Sequence, residues 1–86
     1  MLFSVLVETR LRPGIADPQG ATIERSVPKL GFTGISAVRV GKAIRFTVEA
    51  ADEAAAASQA DEVTQRFLIN PVIEAADITV SVAEPA

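Results

Sequence analysis

Leu2 to Arg10 alternates in a way that constrains the fold more than any other segment. Phe3, Val5, Val7 and Thr9 share one face of an extended chain, and Leu2, Ser4, Leu6 and Glu8 share the other. Large apolar residues therefore stand on both faces of one strand. Such a strand is covered on both sides. Helices supply one cover, and a second subunit is a candidate for the other.

The next segments set what those helices are. Arg12-Pro13-Gly14 ends the strand, because Pro lacks a donor and Gly14 permits a turn. Asp17 then reads as an N-cap with Pro18 at the first helical position. Ile23, Val27 and Leu30 recur at i, i+4 and i+7, giving one apolar stripe that stops at Gly31. Pro28 interrupts that helix, so a kink or an irregular last turn is expected there.

Ile35 to Val40 and Ala43 to Glu49 read as two further strands. Gly41-Lys42 between them fits a two-residue hairpin turn with Gly41 at positive φ. That register puts Ile35, Ala37, Ile44, Phe46 and Val48 on one face, and Ser36, Val38, Val40, Arg45 and Thr47 on the other. Asp52 caps a second, Ala-rich helix from Glu53 to about Leu68. Its apolar stripe reads Ala56, Ala60, Val63 and Phe67, and Asn70-Pro71 stops it. Asp77 to Val82 is a last strand with Ile78, Val80 and Val82 inward, and Ala83 to Ala86 is a loose tail.

The order β-α-β-β-α-β implies an α+β two-layer sandwich, ferredoxin-like or related. It has a four-stranded, mainly antiparallel sheet with two helices on one face. The other face would carry Leu2, Leu6, Val38 and Val40, partly bare in a monomer. An 86-residue chain is one domain by length, residues 1–86. It buries only about 60–65% of its unfolded surface, yet 49% of its residues are hydrophobic. A small core with surplus apolar surface favours self-association.

Composition removes most catalytic chemistry. There is no Cys and there is no His, so disulfides and the two commonest zinc ligands are absent. The net charge of −3 argues against nucleic-acid binding. No apolar run approaches a membrane span and no leader pattern opens the chain, so a soluble cytoplasmic protein is expected. The carboxylates are scattered with no acid–base pair, and no Ser has a His partner.

Two segments remain as candidates. Asp17-Pro18-Gln19-Gly20 resembles a ligand loop at a helix N-terminus, where anions can bind, but Asp17 itself fills that place, so a cap is favoured. Gly20 is costly inside a first helical turn, and close approach by another segment is one reason to keep it. Arg39, Lys42 and Arg45 gather around Gly41. Their plain role is to blunt a sheet edge. Their functional role, with Leu6, Val38 and Val40, is an apolar patch rimmed by charge for a subunit contact.

The landmarks also occur in a telling order. Arg12-Pro13-Gly14-Ile15, Asp17-Pro18-Gln19-Gly20, Leu30-Gly31-Phe32, Val38-Arg39-Val40-Gly41-Lys42 and Leu68-Ile69-Asn70-Pro71-Val72-Ile73-Glu74 together resemble the PurS family. PurS is the small subunit of phosphoribosylformylglycinamidine synthase. The resemblance runs from the first strand to about Val82 and departs at Pro28 and in the Ala-rich second helix.

It implies a subunit of the complex that converts formylglycinamide ribonucleotide, glutamine and ATP to formylglycinamidine ribonucleotide. The implied partners are a second copy (homodimer or dimer of dimers), a PurL-type synthetase and a PurQ-type glutaminase, with the small subunit bridging them and supporting ammonia transfer. ATP and Mg would belong to the large subunit, with no cofactor in this chain. The alternative is a small-ligand regulatory module acting at a dimer interface, with a stand-alone enzyme third.

Overall fold

A computed structural model describes residues 1–83; the expected tail beyond Ala83 lies outside them. The strands are β1 (Leu2–Leu11), β2 (Ala43–Glu49) and β3 (Glu74–Val82), and the helices are α1 (Pro18–Ser26) and α2 (Glu53–Val63). The sheet order is β2-β1-β3, antiparallel throughout. The α+β two-layer class holds, with three strands among the described residues instead of four.

The alternation in β1 does what its residue types require. Phe3, Val5, Val7 and Thr9 are all buried, the first three in one cluster with Ala56 and Ala60 of α2. Val48 joins them from β2, with Ile44 and Phe46 packed alongside. Ala56 and Ala60 are fully buried on α2, and their short side chains let that helix lie close to the sheet.

α2 ends in a π-helical turn, Thr64–Leu68, where Ile69 N–H bonds to the Thr64 carbonyl five residues back. The wider turn carries Thr64 and Leu68 inward. The core stripe is thus Ala56, Ala60, Thr64 and Leu68, and the expected Val63 and Phe67 stand outside it at 37% and 82% exposure.

The expected hairpin at Gly41-Lys42 does not form. Ile35–Val40 is not a strand, and β2 pairs with β1 instead, Phe46 facing Val5 and Arg45 facing Leu6. Gly41 has no positive φ; the left-handed positions are Gly14, Gly31, Gly34 and Ala37. Gly41 is needed for another reason: a Cβ there would collide with the Thr9 carbonyl oxygen.

The corrected pairing also changes the open sheet face. Leu6, half-buried, lies among Ser4, Arg45, Thr47, Thr79 and Ser81, so this face is mainly polar, and Val38 and Val40 are not on it.

Residues 12–42 form an arm that adds nothing to this core. Its stripe exists, but Ile23 is 44% exposed and Leu30 is 74% exposed. Pro28 sits in a 3-10 turn, Val27–Leu30, which is the irregular end expected of that helix; Gly31 closes it at φ 93°. The Cα radius of gyration is 16.6 Å, against about 12 Å for a compact chain of this length.

Candidate functional site

The arm is held by polar contacts. Asp17 caps α1 through its Oδ1, which accepts from Gly20 N–H at 2.9 Å, and its Oδ2 accepts from Val40 N–H at 2.8 Å. Glu24, nearly two turns along the same helix, accepts from Val38 N–H at 2.9 Å. Gly20 lets the helix and the Val38 carbonyl meet, since a Cβ there would collide with that oxygen. This is the close approach by another segment that gives one reason for a glycine at position 20. The two backbone donors and the nearby Arg39 guanidinium hold the Asp17 carboxyl below its ordinary range, with desolvation opposing them.

A second junction ties the arm to the sheet. Thr9 N–H donates to the Lys42 carbonyl at 2.8 Å, and Lys42 N–H donates to the Thr9 hydroxyl at 3.0 Å. At the arm's other root, Arg12 N–H bonds to the Ile73 carbonyl and its Nε donates to the Pro71 carbonyl at 2.9 Å. Asn70 organises that loop: its side chain accepts from Val72 N–H, its own N–H donates to Glu74, and its carbonyl receives Ile73 and Glu74 N–H. Asn70 and Pro71 are thus a helix stop that also anchors the arm.

The six contact residues singled out in the sequence do not form one patch. Val38, Arg39 and Val40 stand beside α1, with Val38 and Arg39 lining an open hollow with Asp17 and Glu24. Lys42 stands at the junction with Thr9, and Leu6 and Arg45 share the polar sheet face. Arg39, Lys42 and Arg45 are exposed.

The larger apolar exposures lie at residues sequence reasoning sent inward or passed over. Phe67 is 82% exposed, Val72 79%, Leu30 74% and Phe32 59%. For Phe32 a signal was present: it follows the C-capping Gly31, outside both helix and strand patterns.

Among the described residues, no group of three or more His, Cys, Asp or Glu side chains is placed to hold a metal ion. The two carboxylates of the arm hollow are occupied by backbone N–H groups. No helix is long and apolar enough to cross a membrane among the described residues.

Comparison with known proteins bears on the same span. The family described as PurS, phosphoribosylformylglycinamidine (FGAM) synthase, matches residues 4–82. The phosphoribosylformylglycinamidine synthase subunit PurS of Synechocystis is 45% identical over 64 residues, 74% of this chain and 64% of that protein. The crystal structure of the purS subunit from Thermotoga maritima superposes with a TM-score of 0.87 at 29% identity, covering 94% of this chain and 93% of that one. A chain of the PurLQS structure from the same organism also gives 0.87, at 28% identity, covering 94% of this chain and 99% of its own. With a match that spans the sheet, both helices and the arm, the chain belongs to the PurS family.

Proposed function

We propose that this chain is an assembly subunit of a multi-subunit phosphoribosylformylglycinamidine synthase, folded as a single PurS-like domain. It bridges a PurL-type synthetase and a PurQ-type glutaminase, supports ammonia transfer between them, and contributes no catalytic group. ATP and Mg are bound by the large subunit, and the complex is cytoplasmic. The observation that carries this reading is the near-complete coverage of a chain in the PurLQS structure. The exposed apolar residues suit it, since an assembly subunit needs surface for partners.

Reconstitution tests it. Synthetase and glutaminase are assayed with glutamine, with and without this chain, and free ammonia serves as the control substrate. Glutamine-dependent turnover falls without the chain, while ammonia-dependent turnover persists. Undiminished glutamine-dependent turnover in its absence overturns the proposal. Leu6, Val38, Arg39, Val40, Lys42 and Arg45 remain proposed contacts. Reversing the charge of Arg39 and Lys42 together weakens assembly on gel filtration with the fold intact; unchanged elution removes both from the interface.

A further inference from the structure

The inward stripe of α2 and its last turn, Ala56, Ala60, Thr64 and Leu68, advances by four residues at every step. A regular helix turns about 100° per residue, so each such step drifts by about 40°. In an unbroken α-helix Leu68 would stand about 120° away from the face that Ala56 holds. The π turn at Thr64–Leu68 absorbs that drift and returns Leu68 to the core. Phe67 is the residue that a regular turn brings inward, because it would stand only about 20° from Ala56.

The observed register leaves two side chains poorly served. Thr64 is fully buried, and its Oγ1 has no hydrogen-bond partner among the described residues. A buried hydroxyl left unpaired opposes the state that buries it. Phe67 is held in solvent, where its ring gains nothing from the core. In return, Leu68 packs against the core and Ile69 is buried. Gains and losses of similar kind thus oppose each other within one turn, and single π turns of this sort recur where a structure works.

The regular register reverses these terms locally. Phe67 enters where Leu68 now packs, and Leu68 turns outward. Thr64 then lies about 80° from Ala56, at the rim of the stripe, where water reaches its hydroxyl. Glu62 and Arg66 keep their ion pair, since four residues is the spacing a regular turn favours. Pro71 and Val72 are exposed, so the loop before β3 has room to take up the altered path.

We infer that the end of α2 is a two-register switch. The major state is the π register, with the Phe67 ring on the surface; the minor state is a regular α turn, with that ring in the core. The switch sets how often an aromatic side chain is offered to solvent or to a partner. It concerns the chain alone and is separable from the synthase reading: a chain with one fixed register that restores glutamine-dependent turnover keeps that reading and loses this inference.

Relaxation dispersion on the full, 15N-labelled chain tests it, because helix register shifts fall in the microsecond-to-millisecond range. The amides of Gln65 to Ile69 share one exchange process, with a minor state of about 1–10%. Those of β1 do not take part. Phe67→Asp bars the side chain from the core, and the exchange disappears. Thr64→Val keeps the shape and removes the unpaired hydroxyl, so the minor population falls at least about fivefold. Leu68→Ala takes apolar contact from the π register alone and raises the minor population at least about fivefold.

Absence of exchange at Gln65 to Ile69 overturns the inference. So does exchange of unchanged amplitude in Phe67→Asp, with circular dichroism intact, because the motion then belongs to the loop and not to the ring. Thr64→Val and Leu68→Ala shifting the population in the same direction also overturns it.

Discussion

Val7 in the sheet and Leu30 on the arm are both branched apolar residues at positions whose spacing points inward. Val7 is 0% exposed and Leu30 is 74% exposed. The difference lies in what each element faces. β1 has β2 and β3 on either edge and α2 above it, so burial there is closed within one chain. The arm has α1 and one extended segment, held by two carboxylates and a glycine contact, with no apolar layer to receive its stripe. Amphipathic pattern sets which face wants cover, but not whether the same molecule supplies it.

The largest effect belongs to the body. Phe3 is 2% exposed and among the largest fully covered side chains. Phe3→Ala leaves a cavity and costs about 3–5 kcal/mol, a large share of the roughly 5–15 kcal/mol that holds a domain together. The urea midpoint falls sharply. A loss below about 1 kcal/mol would mean that the body is not closed by its own core, and the contrast with the arm would fail.

Gly20→Ala is sharper, because two effects predict opposite signs. Helix propensity favours Ala over Gly by about 1 kcal/mol. Packing opposes it, since the added Cβ meets the Val38 carbonyl oxygen, a backbone atom that no rotamer change can move. We expect packing to win, with a net loss of about 1–3 kcal/mol and faster exchange at the Val38 and Val40 amides. A gain in thermal midpoint would show that α1 and the 38–40 segment separate at little cost.

These two sites also mark how far the sequence could be read. Local rules were sufficient for β1, for β2 at Ala43–Glu49, for the Asp17 and Asp52 caps and for the disturbance at Pro28. Each depends on residues within a turn or two of one another. The pairing of Ile35–Val40 is not legible locally: Gly41-Lys42 is a good hairpin sequence, and nothing nearby in sequence records that β1 takes the place beside β2. Gly41 has the residue type of a turn, yet its lack of a side chain serves contact with Thr9, more than thirty positions away in sequence.

The π turn was equally invisible. A 3.6-residue period sends Val63 and Phe67 inward; one widened turn hands those places to Thr64 and Leu68. The candidate contacts Leu6, Val38 and Val40 share a face only in a register that does not occur; Leu6 stays on the sheet face with Arg45, while Val38 and Val40 stand beside α1.

Acid probes the arm's latch with a smaller, local effect. Asp17 has its folded-state pKa lowered by the Gly20 and Val40 N–H groups and by Arg39. Its stabilising contribution is therefore fully present above the unfolded-state value and is lost as pH falls through the folded one. Near neutral pH the latch is insensitive to pH. Below the ordinary carboxylate range the Gly20 and Val40 amides begin to exchange faster than amides of β1. In Asp17→Asn this acid-dependent step disappears, because nothing is left to titrate at that position. A step of the same size in the variant would assign it to another group.

The smallest effect on folding is expected at Phe67, where the contrast between body and arm breaks down within the body itself. Phe67 is carried by α2's last turn, next to fully buried Thr64, yet it is 82% exposed. Its neighbours Glu62 and Arg66 form an ion pair at 2.8 Å, a charged rim beside an apolar side chain. An aromatic ring that far in solvent contributes little to the fold, so Phe67→Ser shifts the unfolding free energy by no more than about 0.5 kcal/mol. Aromatic side chains of this kind anchor interfaces. The same variant therefore weakens reconstitution, requiring more of this chain to reach half-maximal glutamine-dependent turnover. If stability falls by more than about 1 kcal/mol, the ring packs on the body and the widened turn is structural. If stability and half-maximal concentration both hold, exposure at this turn is incidental, and partner contact rests on the arm alone.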